Sequence, residues 1–227
     1  MIGNRGLLSI ISRPGRIGFL SFSKRIFIMR DTQIIKREAE LKDKFNEFFK
    51  NHQIENLYNQ LSVEEMIELK KIISCINNII TLRATIAFVE KLHQDRFISD
   101  KEKKDIVEEV NGQHANTNGF DVHYDKNNDR KIIAEVKCNI PVDKTSFGPA
   151  QKDGIAKDIK NLFEGKKKAN IKDISTFYKF MVILDCSENV RDCMQKIIDK
   201  KDHIKVYDSP NNLDKDNVFV VYIKLNQ

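Results

Sequence analysis

The chain has 227 residues, 41% hydrophobic and 32% charged, which excludes a disordered polymer and a polytopic membrane protein. Its formal charge is +6, but Arg5, Arg13, Arg16, Lys24 and Arg25 fall in the first 28 residues with no acid among them, so the remainder carries only about +1. A basic balance confined to one end does not by itself argue for nucleic acid, and without a run of 18 apolar residues no segment is expected to span a bilayer.

Residues 1–28 are basic, serine-containing and free of acids, the composition of an organelle transit peptide. The blander reading, and the one adopted, is upstream sequence ahead of a start at Met29; either way the segment stands outside the fold. Residues 29–98 read as a helical subdomain of about three helices, with neither Pro nor Gly. Ile34, Ile35, Leu41, Phe45, Phe48 and Phe49 recur at three- and four-residue spacings. Ser62 and Glu65 form a capping-box signature before Met66, Leu69, Ile73, Ile76 and Ile80. A further helix is expected over Ala84–His93.

From residue 99 the texture changes. Ser99 is placed to cap a helix over Asp100–Val110 that stops at Asn111-Gly112. Phe120–Tyr124 and Lys131–Cys138 are strand-like runs around the polar turn DKNNDR. Gly148-Pro149 opens a helix carrying Ile155, Ile159, Leu162 and Phe163, and Gly165 stops it. Phe177–Asp185 is a strand apolar enough to be buried on both faces, Glu188–Lys200 a helix and Val218–Leu225 a last strand. Asp185 reads as a cap for the helix that follows it. The order predicts an α/β fold with a mixed central sheet flanked by helices, spanning residues 99–227.

Four cysteines without a C-x-x-C pair and five scattered histidines give neither a disulfide scaffold nor a zinc ligand set, so a reducing, cytoplasmic setting is expected. The chemistry concentrates in the hairpin. A turn centred near Asn127 and Asn128 makes cross-strand partners sum to about 255–256, which sets Asp121 opposite Ala134 or Glu135. Lys137 lies two residues beyond Glu135 and projects from the same, solvent-side face; Ile132, Ala134, Val136 and Cys138 point the other way, toward a core. Two adjacent carboxylates repel unless a cation sits between them. Mg²⁺, which takes hard oxygen ligands, would resolve that repulsion and could polarise a phosphodiester, with Lys137 orienting or deprotonating the attacking water. Acid pairs with a nearby Lys are also ordinary salt-bridge ladders on antiparallel sheets, so spacing alone leaves both readings open.

The run GFD(121)VHYDKNNDRKIIAE(135)VK(137) resembles the PD-(D/E)XK nuclease superfamily, which has the restriction-endonuclease-like fold and an α-β-β-β-α-β core. The resemblance covers about residues 100–190. Phe120 stands where the family often has Pro. The resemblance implies Asp121 and Glu135, with the intervening Val136, as metal positions and Lys137 as the catalytic lysine. It implies a helix-borne glutamate, Glu108 or Glu109, and an accessory phosphate contact at Gln151 or Lys152. Lys166, Lys167 and Lys168 belong to a stretch, 151–172, with seven Lys against three acids; such a run can neutralise phosphates or simply be solvated. The resemblance therefore implies a Mg²⁺-dependent endodeoxyribonuclease acting on double-stranded DNA and leaving a 5′-phosphate. A homodimeric type II restriction endonuclease is the most specific form, with the helical region supplying dimer or DNA contacts. A repair or recombination nuclease on structured DNA, or a non-catalytic binding module of the same fold, are the alternatives.

Overall fold

The computed structural model describes residues 34–37, 39–40, 43, 61–112, 119–127, 129–141, 146–166, 169, 171 and 173–225. The leader reading of 1–28 and most of the apolar stripe over 34–49 lie outside the described residues. The main elements are α1 (Val63–Gln94), α2 (Asp100–Gly112), β1 (Val122–Tyr124), β2 (Lys131–Lys137), α3 (Pro149–Glu164), β3 (Phe177–Leu184), α4 (Val190–Ile198), β4 (Ile204–Val206) and β5 (Val218–Ile223).

The two helices expected over 63–93 are one. Ser62 caps α1 as foreseen, its hydroxyl accepting from the Glu65 N–H at 3.2 Å while Glu65 returns to the Ser62 N–H at 2.7 Å. Nothing between Ile80 and Ala84 stops it, because Thr81, Leu82 and Arg83 carry no breaker and Thr85 Oγ1 folds back onto the Thr81 carbonyl at 2.8 Å. By length and average composition alone this helix could cross a membrane, although it contains no unbroken run of 18 apolar residues. Its C-terminal half is core: Ala84, Phe88, Val89 and Leu92 are buried in the same cluster as the strands. Toward its start Val63, Ile67 and Ile73 are exposed.

The sheet is mixed, in the order β1-β2-β3-β5-β4. β1 and β2 are antiparallel, whereas β2–β3, β3–β5 and β5–β4 are parallel. Its two faces bury separate clusters. Phe180, Val182, Phe219 and Val221 meet α1 and α2 on one side. Met181, Ile183, Val218 and Val220 meet Ile155, Ile159 and Leu162 of α3 and Val190, Met194 and Ile198 of α4 on the other. This three-layer arrangement is why FYKFMVIL and VFVVYI are nearly continuous apolar runs. The sequence missed β4, three residues against β5 whose outer side chains are exposed.

The hairpin is fixed to α2 by a buried acid. Glu102 accepts from the Ser99 N–H and hydroxyl, each at 2.7 Å, and from Asn127 Nδ2 at 2.7 Å, with Arg130 Nη1 3.4 Å away. Burial pushes its pKa up, but these donors outweigh burial and hold it below the usual carboxylate range. Arg130 also donates to the Phe97 carbonyl at 2.7 Å. The turn is thereby anchored at the end of the ribbon opposite Asp121.

Candidate active site

The β1–β2 pairs are Val122 with Ala134, His123 with Ile133 and Tyr124 with Ile132, each summing to 256. The same register sets Asp121, one residue before β1, opposite Glu135. There the main-chain ladder has run out, and the Asp121 side chain replaces it: Oδ2 accepts from the Val136 N–H at 2.7 Å. Glu135 and Lys137 share the face of Ile133, while Ile132, Ala134 and Val136 enter the α1/α2 cluster, as the alternation requires. The face expected to be solvent-side is instead covered by α3, and the Glu135 side chain is only 6% exposed.

Helix α3 brings a third carboxylate. Asp158 pairs with the Lys137 ammonium, both side chains being largely buried. A second lysine closes the cluster: the Lys166 ammonium is in ion-pair contact with Glu135 Oε1, which accepts no directed hydrogen bond among the described residues. Lys166 also donates to the Gly119 carbonyl at 2.7 Å and lies 4.8 Å from the centre of the Phe120 ring. Three acids, Asp121, Glu135 and Asp158, thus alternate with two ammonium groups between the start of β1, the end of β2 and the inward face of α3.

The electrostatics follow from burial. Loss of hydration pushes the Glu135 carboxyl up to about 7, with Asp121 and Asp158 adding to the effect and Lys166 opposing it. Asp121 is also raised by burial, against the Val136 N–H and both lysines. Burial alone would lower Lys137, but Asp158, Glu135 and Asp121 outweigh it and raise its pKa. Lys137 is therefore a protonated cation at neutral pH, suited to orient a water and hold negative charge and unsuited to remove a proton.

Asp121, Glu135 and Lys137 come together as expected, and Val136 joins them through its main-chain N–H. Other expected positions lie elsewhere. Glu108 is exposed, and the charged neighbours of Glu109 are His123, Lys126 and Asp125, so no helix-borne glutamate of α2 enters the cluster. Gln151 spends both ends of its amide inside the protein, accepting from the Gly148 N–H at 2.9 Å and donating to the Ile140 carbonyl at 2.8 Å. Lys152 is exposed; Lys167 and Lys168 lie outside the described residues. Lys166, expected at a phosphate, faces the carboxylates. Asp185 does not cap α4; Asn189 holds that position, and Asp185 pairs with Arg191 at 2.9 Å.

Asp158 was legible in principle. It lies three residues after Ile155 and four before Leu162, on the inward stripe of α3, and an acid on such a stripe demands a partner. The inward turn of Lys166 had no local signal.

Among the described residues no group of three or more His, Cys, Asp or Glu side chains is arranged to enclose a metal ion. Two carboxylates are nevertheless a sufficient protein share for Mg²⁺, which keeps most of its waters. Asp121 and Glu135 fit that requirement: they are hard-oxygen donors set opposite each other by the hairpin register, Glu135 buried and Asp121 partly so, and Glu135 Oε1 accepts no directed hydrogen bond among the described residues. Comparison of the chain with family models, curated proteins and solved structures returned no match.

Proposed function

We propose that the chain is a Mg²⁺-dependent endodeoxyribonuclease with a restriction-endonuclease-like core, most specifically a homodimeric type II restriction endonuclease acting on double-stranded DNA. One observation carries this: Asp121, just ahead of β1, and Glu135 and Lys137, at the end of β2, span 16 residues of chain and converge on one buried face, where three carboxylates meet two ammonium groups. The order α2, β1, β2, α3, β3 follows the family's pattern with one difference. Two strands, where the family has three, precede α3 among the described residues.

Asp121 and Glu135 would hold the ion. When bound, Mg²⁺ supplies Lewis-acid polarisation of the phosphodiester and a lowered pKa for water. The remaining work falls to the protein. The Val136 N–H fixes the Asp121 carboxylate, Asp158 fixes the Lys137 ammonium, and Lys137 orients the attacking water and balances charge on the phosphoryl oxygens. A water oxygen bonds to phosphorus as the bond to the 3′ oxygen breaks; the water gives one proton to solvent and the 3′ oxygen takes one from solvent, leaving a 5′-phosphate.

The cross-pairing of Lys166 with Glu135 and Lys137 with Asp158 favours a second reading, because a cluster that neutralises itself can be a purely structural network in a non-catalytic DNA- or protein-binding module. Plasmid nicking with Mg²⁺ and with EDTA separates the two. Discrete fragments support restriction, and cleavage confined to branched DNA supports a repair nuclease. Binding to DNA without cleavage on any substrate supports the module and defeats the nuclease.

A further inference from the structure

Lys166 is 31 residues from Glu135 in the chain, yet its ammonium is in ion-pair contact with the buried carboxylate. Gly165, at φ 83° and ψ 157°, ends α3 in an extended, positive-φ conformation that glycine adopts readily, and Lys166 follows it directly. The groups around the ammonium all suit a positive charge: the Glu135 carboxylate, the Gly119 carbonyl at 2.7 Å and the face of Phe120 at 4.8 Å. The side chain is 21% exposed, so the ammonium is held within the protein and not merely lying on it. A divalent ion ligated by Glu135 Oε1 needs the oxygen that Lys166 now meets, and two cations at one carboxylate in a buried site repel each other strongly.

We propose that Lys166 is the resident counter-ion of this carboxylate site, and that it competes with the divalent cation for Glu135, so that metal entry displaces its ammonium. The inference rests on the proposal that Asp121 and Glu135 hold a metal. It makes Lys166 a positioning and gating residue, and it explains how three carboxylates remain folded together without a metal.

The test uses the full chain and Mn²⁺ as the probe, with binding read from the electron paramagnetic resonance signal of free Mn²⁺. Lys166→Met, with folding checked by circular dichroism, is expected to bind Mn²⁺ about tenfold more tightly than the parent, because the competing state has been removed. Equal or weaker binding by the variant, with the parent still binding, overturns the competition and leaves the metal site standing. No binding by either protein, or equally tight binding by Glu135→Gln and the parent, overturns both. A second measurement needs no variant. The acetylation rate of Lys166, followed by mass spectrometry against exposed Lys152 as reference, should rise several-fold when Mn²⁺ is added. An unchanged or reduced rate sinks the displacement.

Discussion

The two faces of β2 are chemical opposites built from alternate residues of one heptapeptide, KIIAEVK. Ile132, Ala134 and Val136 enter a dry cluster with Phe88, Leu92 and Phe180. One residue out of step, Glu135 and Lys137 face α3 and must satisfy buried charge with Asp158 and Lys166. The first face stabilises by removing apolar surface from water. The second costs desolvation that its ion pairs only partly offset. A strand that spends stability on one face while gaining it on the other is what a site mounted on a rigid scaffold requires.

That contrast can be broken most sharply on the charged face. Asp121→Asn, Glu135→Gln and Lys137→Met should each lower Mg²⁺-dependent plasmid cleavage by about 10³-fold while the protein stays folded. A variant with near-parental turnover has been given the wrong role. On the apolar face the expected loss is of stability. Phe180→Ala, fully buried against Phe88 and Phe219, should cost about 3–5 kcal/mol in urea unfolding, with cleavage per folded molecule little changed.

Asp158 sharpens the comparison, because it acts through Lys137. Asp158→Asn should reduce kcat by roughly 10- to 100-fold with KM little altered. A KM effect alone would mean that Asp158 contacts DNA instead.

The pH dependence has a definite sign. The folded Glu135 carboxyl titrates at about 7, above its ordinary 4.5, so the folded state holds a proton that the unfolded state has released between those values. This contribution is complete below about pH 4.5 and is lost as the pH rises through about 7. In EDTA, the parent should therefore lose about 2–3 kcal/mol relative to Glu135→Gln between pH 5 and pH 8. Parallel pH profiles for the two proteins would show that Glu135 is not held protonated.

The smallest effect belongs to the surface. Lys152→Ala should weaken DNA binding a few-fold and reduce the salt slope of log K by about one. An unchanged slope returns Lys152 to solvent.

Much of the frame was legible because it is local. Ser62 with Glu65, Ser99 before Asp100, Gly148-Pro149 and Gly165 mark helix ends through groups within four residues of the backbone they satisfy. The period of two in Lys131–Lys137, together with the hairpin turn, set both the faces and the register that carries Asp121 to Glu135. Composition could not show that α1 runs unbroken to Gln94, because a helix with no stop signal ends where its packing ends.

The amino-acid order alone thus determined the alternating α and β elements, the hairpin pairing and the trio Asp121, Glu135 and Lys137, since each follows from backbone geometry over a few residues. Only the tertiary structure decided the strand order β1-β2-β3-β5-β4, the cover of α3 over the charged face, the arrival of Asp158 and Lys166, and the distance of Glu108 and Glu109 from the cluster. The physical reason is that buried charge takes its partner from whatever the packed layers bring close, here 21 and 31 residues along the chain, and no local periodicity encodes that choice.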